Sequence, residues 1–227
     1  MKALLIHGLS SNSSTWWRIR AALEADGWEV TAPDLRGHGI SAPATSYRLA
    51  DYAADLPTGP WDLIIGHSLG GAVAVLLGAT AERVILLDPV LEVPADDVDE
   101  ITADQLAELE LTVESIRASK PQWTERDLEI KIAALQQVDP LAVEKTFSDN
   151  PTWNVLDAAR ALAVPTLILG GDHAVYSMLA TDTAHDLVAA NPHVEYRVVN
   201  GAGHSPHRDR PEETIAAIRG WLPARVH

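Results

Sequence analysis

The residue with the clearest potential for chemistry is Ser68, which lies in the segment GHSLGG beginning at residue 66. An apolar run typical of a buried strand, residues 62–65, precedes this segment, and a helix-compatible apolar run, residues 72–78, follows it. A serine on such a tight turn holds its hydroxyl clear of the backbone, and flanking glycines tolerate the crowding. The pattern therefore predicts that Ser68 is a nucleophile.

His204 is the candidate base for this serine. An alcohol is scarcely ionised at neutral pH, so it becomes a competent nucleophile only as a base removes its proton. His204 lies in the glycine-flanked segment GAGH, after the last strand-like run at residues 194–199. Ligand sites in open parallel sheets collect at the carboxyl ends of the strands, which is where both residues are expected.

The other histidines carry weaker signals. His7 and His67 lie in glycine-containing turns, where they are expected to shape the backbone and to border the pocket. Four further histidines have no chemical context and are interpreted as structural or solvated: His38, His185, His193 and His227. A cluster of His204, His207 and Asp209 lacks the helix-borne spacing of known zinc motifs, so no metal is predicted.

Six short runs rich in Val, Ile and Leu are expected to form the strands that position these residues. They span residues 3–6, 29–32, 62–65, 83–87, 165–169 and 194–199. Helical spacing, as at Trp16, Ile19 and Leu23, separates most of them. Alternation of strand with helix predicts the α/β class, with a parallel sheet covered on both faces.

A long interval between the fourth and fifth runs interrupts this alternation. Thr102 with Gln105, and Thr124 with Asp127, have the spacing of capping boxes, each of which opens a helix. The pair at residues 139–140, Asp-Pro, predicts the start of a third helix. We therefore expect a core of residues 1–91 and 151–227, with a small helical cap of residues 92–150 over the sheet.

The composition argues against several classes of partner. The 17 basic and 32 acidic residues give a formal net charge of −15, which repels phosphate backbones and anionic lipid headgroups, so nucleic acid and membranes are not expected partners. The chain has no cysteine, which excludes disulfides and thiolate nucleophiles. No secretory signal is recognisable, and no apolar run reaches the roughly 20 residues of a membrane span, so a soluble, cytoplasmic protein is expected.

Across nearly its whole length the sequence resembles the α/β-hydrolase family. Four motifs match in order: HG at residues 7–8, DLRGHG at 34–39, the turn around Ser68, and GAGH at 201–204. The start departs from the family pattern, because the usual leading antiparallel strands are missing and the chain opens on a central strand. The resemblance implies an α/β-hydrolase fold with about six mostly parallel strands.

The resemblance also implies an acid that orients the histidine, and two aspartates compete for this role. Asp172 follows the fifth strand, where the family most often supplies the acid, but it stands too early relative to Gly171. Asp88, at the end of the fourth strand, matches an alternative site that some members use. Both preserve the order serine, acid, histidine. Asp88 is slightly preferred, with Asp172 as the alternative.

The same resemblance implies an oxyanion hole made of two backbone amides. The backbone amides of Leu9 and Leu69 are expected to stabilise an oxyanion. His7, Trp16 and His67 are the expected pocket residues.

A serine in the turn, instead of an aspartate, favours acyl transfer over the carboxylate-nucleophile branches of the family. The expected reaction is hydrolysis of a small, largely apolar carboxylic ester or lactone through an acyl-enzyme, with no metal or organic cofactor. Two alternatives stay open: hydrolysis of a carbon–carbon bond in a β-diketone, and a ligand-binding protein that keeps the fold without turnover.

Overall fold

A parallel sheet forms the centre of the protein in a computed structural model that describes residues 1–223; His227 lies outside the described residues. The strands are β1 (Lys2–Ile6), β2 (Glu29–Thr31), β3 (Leu63–His67), β4 (Val84–Leu87), β5 (Thr166–Gly170) and β6 (Val194–Val198). Their order is β2-β1-β3-β4-β5-β6, and every neighbouring pair is parallel. The six predicted strands and the α/β class are confirmed.

Each strand contributes to both faces of the sheet because successive side chains point to opposite sides. Along β1, Leu4 and Ile6 join one buried apolar cluster, whereas Ala3 and Leu5 join the other. The central strands β1, β3, β4 and β5 are therefore largely apolar, as expected for a sheet covered by helices on both faces, whereas the edge strands β2 and β6 carry charged residues.

Helices connect the strands and cover the sheet. They are α1 (Trp17–Ala25), α2 (Leu49–Asp55), α3 (Leu69–Leu77), α4 (Val98–Glu108), α5 (Val113–Ser119), α6 (Glu125–Gln137), α7 (Pro140–Ser148), α8 (Leu156–Arg160), α9 (Thr181–Ala190), α10 (Pro206–Asp209) and α11 (Pro211–Trp221). None of those within residues 1–223 combines the length and apolarity needed to span a bilayer.

Two of the three predicted helix starts in the interval between β4 and β5 are confirmed. Thr124 and Asp127 form a reciprocal capping box at α6, and Asp139 caps α7 with Pro140 in its first turn. The prediction for Thr102 is wrong, because α4 already begins at Val98. The Thr102 hydroxyl lies inside this helix and donates to the Val98 carbonyl at 2.6 Å, so it is not free to cap.

The two ends of the inserted segment pair with each other, and its later part is hydrogen-bonded to the core. An isolated antiparallel bridge pairs Glu92 with Asn154, and the Val93 amide donates to the Trp153 carbonyl at 2.9 Å. Farther along, the Asp139 amide donates to the carbonyl of Gly37 at 2.8 Å. The segment therefore leaves and rejoins the sheet at one place.

The order of the strands determines where a ligand can bind. The chain moves outward from β1 to β2 and then returns to the other side of β1 with β3. Loops after neighbouring strands diverge at such a reversal and leave a crevice at the carboxyl ends of the strands. Leu9 follows β1 and Ser68 follows β3, so both lie at this crevice.

Candidate active site

Ser68 lies on a sharp turn between β3 and α3. Its backbone has φ 55° and ψ −120°, a conformation that side-chain-bearing residues rarely adopt. The turn requires glycine on both sides: a Cβ on Gly66 would meet the Gly70 carbonyl oxygen at 2.1 Å, and one on Gly70 would meet the Ile6 carbonyl oxygen at 2.2 Å. The neighbouring glycines therefore permit a strained turn that lifts the serine hydroxyl out of the backbone.

His204 lies between Ser68 and Asp88. Its Nε2 is 3.0 Å from the Ser68 Oγ, and its Nδ1 is 2.6 Å from Asp88 Oδ2. An ionised carboxylate only accepts hydrogen bonds, so the Nδ1 atom carries the proton that is donated to Asp88. This leaves Nε2 free to accept the proton of the serine hydroxyl.

Asp88 follows β4 directly and is fully buried. Its carboxylate accepts hydrogen bonds from His204 Nδ1, the Gly171 amide at 2.9 Å, the Ser177 hydroxyl at 2.6 Å and the Met178 amide at 2.9 Å. Burial opposes ionisation, but these donors outweigh it and hold the pKa of Asp88 below its usual value. The group is therefore a permanent anion beneath the imidazole at neutral pH.

Asp172, the alternative acid, does not contact His204 among the described residues. One carboxylate oxygen accepts the Ala174 amide at 2.9 Å, and the other accepts the Gly201 amide at 2.9 Å. Asp172 thus closes its own turn and fastens the loop that carries His204. The geometry brings together Ser68, His204 and Asp88, and leaves Asp172 outside.

The two backbone amides expected to form an oxyanion hole are close to Ser68. Leu69 is the first residue of α3, where helical amides lack partners within the helix, and Leu9 follows β1. Both residues line the same cavity as Ser68. Within residues 1–223, neither amide donates a hydrogen bond to another backbone carbonyl.

A cavity of about 220 Å³ opens above Ser68 and His204. One wall is apolar, with Leu9, Leu69, Val90, Val93, Phe147 and Trp153. The rings of Phe147 and Trp153 are stacked with their centroids 5.9 Å apart and pack against each other in this wall. Because Phe147 belongs to α7, the inserted helices complete a cavity whose floor is the edge of the sheet.

Of the three expected pocket residues, only His67 lines this cavity, with Nε2 2.7 Å from the His204 carbonyl oxygen. His7 is fully buried behind it, donates Nδ1–H to the Gly8 carbonyl at 2.8 Å, and accepts the Leu35 amide at 3.0 Å. Trp16 is also fully buried, in the apolar cluster that contains Ala3 and Leu5 of β1. His7 and Trp16 are therefore corrected from pocket residues to structural ones.

Two buried cations that line the cavity were not predicted from the sequence: Arg208 on α10 and Lys131 on α6. Both are buried, whereas long charged side chains are normally expected at the surface. A usable signal was present for Arg208. It follows His204 by four residues, with Pro206 starting a short helix between them, so it lies at the same edge of the sheet.

Four buried histidines surround the site. Burial lowers the pKa of His7 to about 4, and it lowers the pKa of His38 and of His67 to about 3. Burial also lowers the pKa of His207 well below 6.5. All four are therefore neutral in the folded protein at neutral pH.

These histidines predict that the fold is less stable in mild acid. The unfolded chain takes up protons as the pH falls through 6.5, whereas the folded protein does not until about pH 4. The contribution of these histidines to stability is therefore fully present above about pH 7 and is lost on acidification. We expect each histidine to lower the free energy of unfolding by about 1.4 kcal/mol at about pH 5.5, and the four together by about 6 kcal/mol. Urea denaturation at about pH 7 and at about pH 5.5 measures this loss.

A pair of variants assigns the effect to buried histidines. His38→Asn removes one buried imidazole and should reduce the loss by about a quarter, whereas His193→Asn, at an exposed position, should not change it. Equal stability of the wild type at both pH values would contradict the assignment.

Comparison with known proteins agrees with the fold. The profile of the alpha/beta hydrolase family matches residues 3–217. An esterase of Mycobacterium tuberculosis is 28% identical over 261 residues, covering 99% of this chain and 83% of the relative. Pyrrolizixenacetamide deacetylase of Xenorhabdus hominickii is 26% identical over 263 residues, covering 96% of this chain and 90% of the relative.

Among solved structures, E-2-(acetamidomethylene)succinate hydrolase has a TM-score of 0.79 at 22% identity, covering 99% of this chain and 92% of that chain. The shared architecture is that of a parallel sheet flanked by helices. Because the family profile spans most of its length, this chain belongs to the alpha/beta hydrolase family and is a hydrolase.

Proposed function

We propose that this protein is a serine hydrolase that cleaves a small carboxylic ester or lactone through an acyl-enzyme on Ser68. The observation that carries the proposal is the continuous hydrogen-bonded chain from the Ser68 hydroxyl through His204 to Asp88, with distances of 3.0 and 2.6 Å. This is the arrangement in which a buried carboxylate orients a histidine base toward a serine.

Each residue has a distinct part in the proposed reaction. His204 Nε2 takes the hydroxyl proton as Ser68 Oγ attacks the substrate carbonyl, and Asp88 stabilises the imidazolium that forms. The amides of Leu9 and Leu69 stabilise the negative oxygen of the tetrahedral intermediate. His204 then protonates the leaving group, and water hydrolyses the acyl-enzyme by the same route. All the groups required are side chains and amides of the chain itself.

We further propose that residues 92–150 act as a cap over a core of residues 1–91 and 151–227. The cap supplies Ile101 from α4, Trp123 from the segment before α6, and Phe147 from α7 to the cavity. The core supplies Ser68 and His204. The core therefore carries the reactive groups, and the cap completes the cavity that holds the substrate.

The names of two relatives support acyl transfer as the reaction. One is an esterase and the other is a deacetylase, and each covers at least 96% of this chain. Both activities transfer an acyl group to water, which fits a serine nucleophile better than cleavage of a carbon–carbon bond.

A fluorophosphonate probe tests this proposal directly. We expect the intact protein to gain one covalent adduct, located at Ser68 by peptide mass spectrometry, because only a serine activated by a base reacts quickly with such probes. The exposed Ser14 of a neighbouring loop provides an internal control and should stay unmodified. An unlabelled protein would favour a binding protein without turnover.

A further inference from the structure

Arg208 is a buried cation with an unused hydrogen-bond donor. The side chain lines the cavity above Ser68, yet the residue is only 5% exposed. Its Nε donates to the Thr15 hydroxyl at 2.9 Å, whereas its Nη2 is buried and has no partner among the described residues. A buried cation without a full set of partners is costly, so the protein is expected to keep it there for a ligand.

Three carboxylates lie near Arg208, but each has other partners. They are Asp127, which pairs with Arg18 at 2.6 Å; Glu108, which pairs with Lys131 at 3.0 Å; and Asp209, which accepts Trp123 Nε1 at 2.7 Å and the Gly203 amide at 2.8 Å. Within residues 1–223, none of them lies within 4.0 Å of an Arg208 nitrogen. Burial lowers the pKa of Arg208 to about 10, so the guanidinium remains charged at neutral pH.

The surroundings of Arg208 strengthen its positive character and hold its orientation. Lys131 lines the same cavity, is 7% exposed, and donates to the Ser10 carbonyl at 3.0 Å. Lys120 also borders the cavity, where Glu108 is the only carboxylate among the described lining residues. The guanidinium carbon of Arg208 lies 4.8 Å from the ring centroid of Trp123, which braces the group.

This positive wall is a local exception in a chain of net charge −15. An acidic protein repels anionic ligands at long range, so buried cations beside the nucleophile indicate selection for a negative group inside the cavity. A guanidinium with a free N–H fits the oxygens of a carboxylate. The small volume and the stacked rings of Phe147 and Trp153 in the cavity lining suit a short apolar chain.

We propose that the substrate is the ester or lactone of a small acid that bears a second, free carboxylate, which Arg208 binds with Lys131 beside it. The proposal rests on the proposed serine hydrolase function and names its substrate class. The guanidinium of Arg208 donates to the free carboxylate, while Ser68 attacks the ester carbonyl at the other end of the molecule. The apolar wall contacts the carbon chain between the two groups.

Paired substrates test the proposal. Monomethyl succinate and methyl isocaproate have nearly the same shape, but the first carries a carboxylate where the second carries an isopropyl group. We expect the kcat/KM of the wild type to be roughly tenfold or more higher for the half-ester than for methyl isocaproate. Titration of the released acid measures both rates. Monomethyl glutarate and adipate extend the comparison to longer chains.

The variant Arg208→Met should lose roughly 30-fold or more in kcat/KM on the preferred half-ester, with less than roughly threefold loss on methyl isocaproate. Lys131→Met should show a smaller loss of the same kind, and Arg208→Lys should restore part of it. Equal losses on both esters, or a wild type without preference for any half-ester, would overturn the proposal. If Arg208→Met does not fold, the substrate preference and Lys131→Met still decide the question.

A binding measurement separates this inference from the assignment of the nucleophile. Calorimetry with Ser68→Ala and monomethyl glutarate should detect binding, and adding Arg208→Met should weaken it by roughly tenfold or more. Binding that depends on Arg208 in a protein that no fluorophosphonate labels would sustain the carboxylate site and reject the serine mechanism. Labelling of Ser68, together with binding of the half-ester that does not depend on Arg208, would sustain the serine mechanism and reject the carboxylate site.

Discussion

Replacing Ser68 by alanine is expected to lower kcat for ester hydrolysis by roughly 10⁶-fold, the loss typical of a serine nucleophile that acts together with its base. The variant removes the Oγ atom that lies 3.0 Å from His204 Nε2 and leaves the cavity otherwise intact. Turnover of an activated ester at high enzyme concentration measures the residual rate. Far-UV circular dichroism verifies that the sheet is preserved.

Ser14→Ala is a matched control, because it removes a hydroxyl from an exposed position in the loop after β1. We expect its kcat to stay within roughly twofold of the wild type, as for most surface substitutions. If Ser68→Ala retained a substantial fraction of the wild-type rate, the nucleophile would have to be another group in the cavity.

Asp88→Asn is expected to lower kcat by roughly 10⁴-fold while Ser68 and His204 stay in place. The amide of asparagine no longer requires the proton on His204 Nδ1, so the imidazole can present a protonated Nε2 to the serine. A neutral side chain also fails to stabilise the imidazolium. Steady-state kinetics on the same ester measures the effect.

Asp172→Asn provides the comparison, since within residues 1–223 this carboxylate accepts only the amides of Ala174 and Gly201. Its kcat should fall by no more than a few fold, through loosening of the loop that carries His204. Full turnover in both variants would refute the role of Asp88, and a large loss in Asp172→Asn alone would transfer the role to Asp172.

The sequence was sufficient to predict the sheet and the position of Ser68. The four central strands are largely apolar runs, and the glycines around Ser68 have no substitute in a turn this crowded. Local patterns of this kind depend on backbone geometry that is the same in any protein. They can therefore be interpreted without a structure.

The choice between Asp88 and Asp172 could not be made from the sequence. Both residues follow parallel strands and lie at the same edge of the sheet, so strand order alone places either near His204. The decision depends on side-chain direction. Asp88 has a positive φ of 38° and points its carboxylate under the imidazole, whereas Asp172 points back to its own loop.

The errors at Thr102 and Trp16, and the missed Arg208, have related causes. The spacing of Thr102 and Gln105 is also the spacing of neighbours on a helix surface, so it did not distinguish a helix start from a helix interior. Trp16 can equally border a pocket or fill a core. Arg208 is an exception to the rule that charge lies outside, and such exceptions depend on tertiary contacts.

The bridge between Glu92 and Asn154 brings the entry and the exit of the inserted segment side by side. Because the inserted segment begins and ends at paired residues, it can be replaced by a segment of different length without altering the connections between the strands. The part of the cavity lined by Ile101, Trp123 and Phe147 can therefore be altered by replacing one contiguous stretch, while Ser68 and His204 stay where they are. A graft between residues 92 and 154 is the corresponding route for redesign.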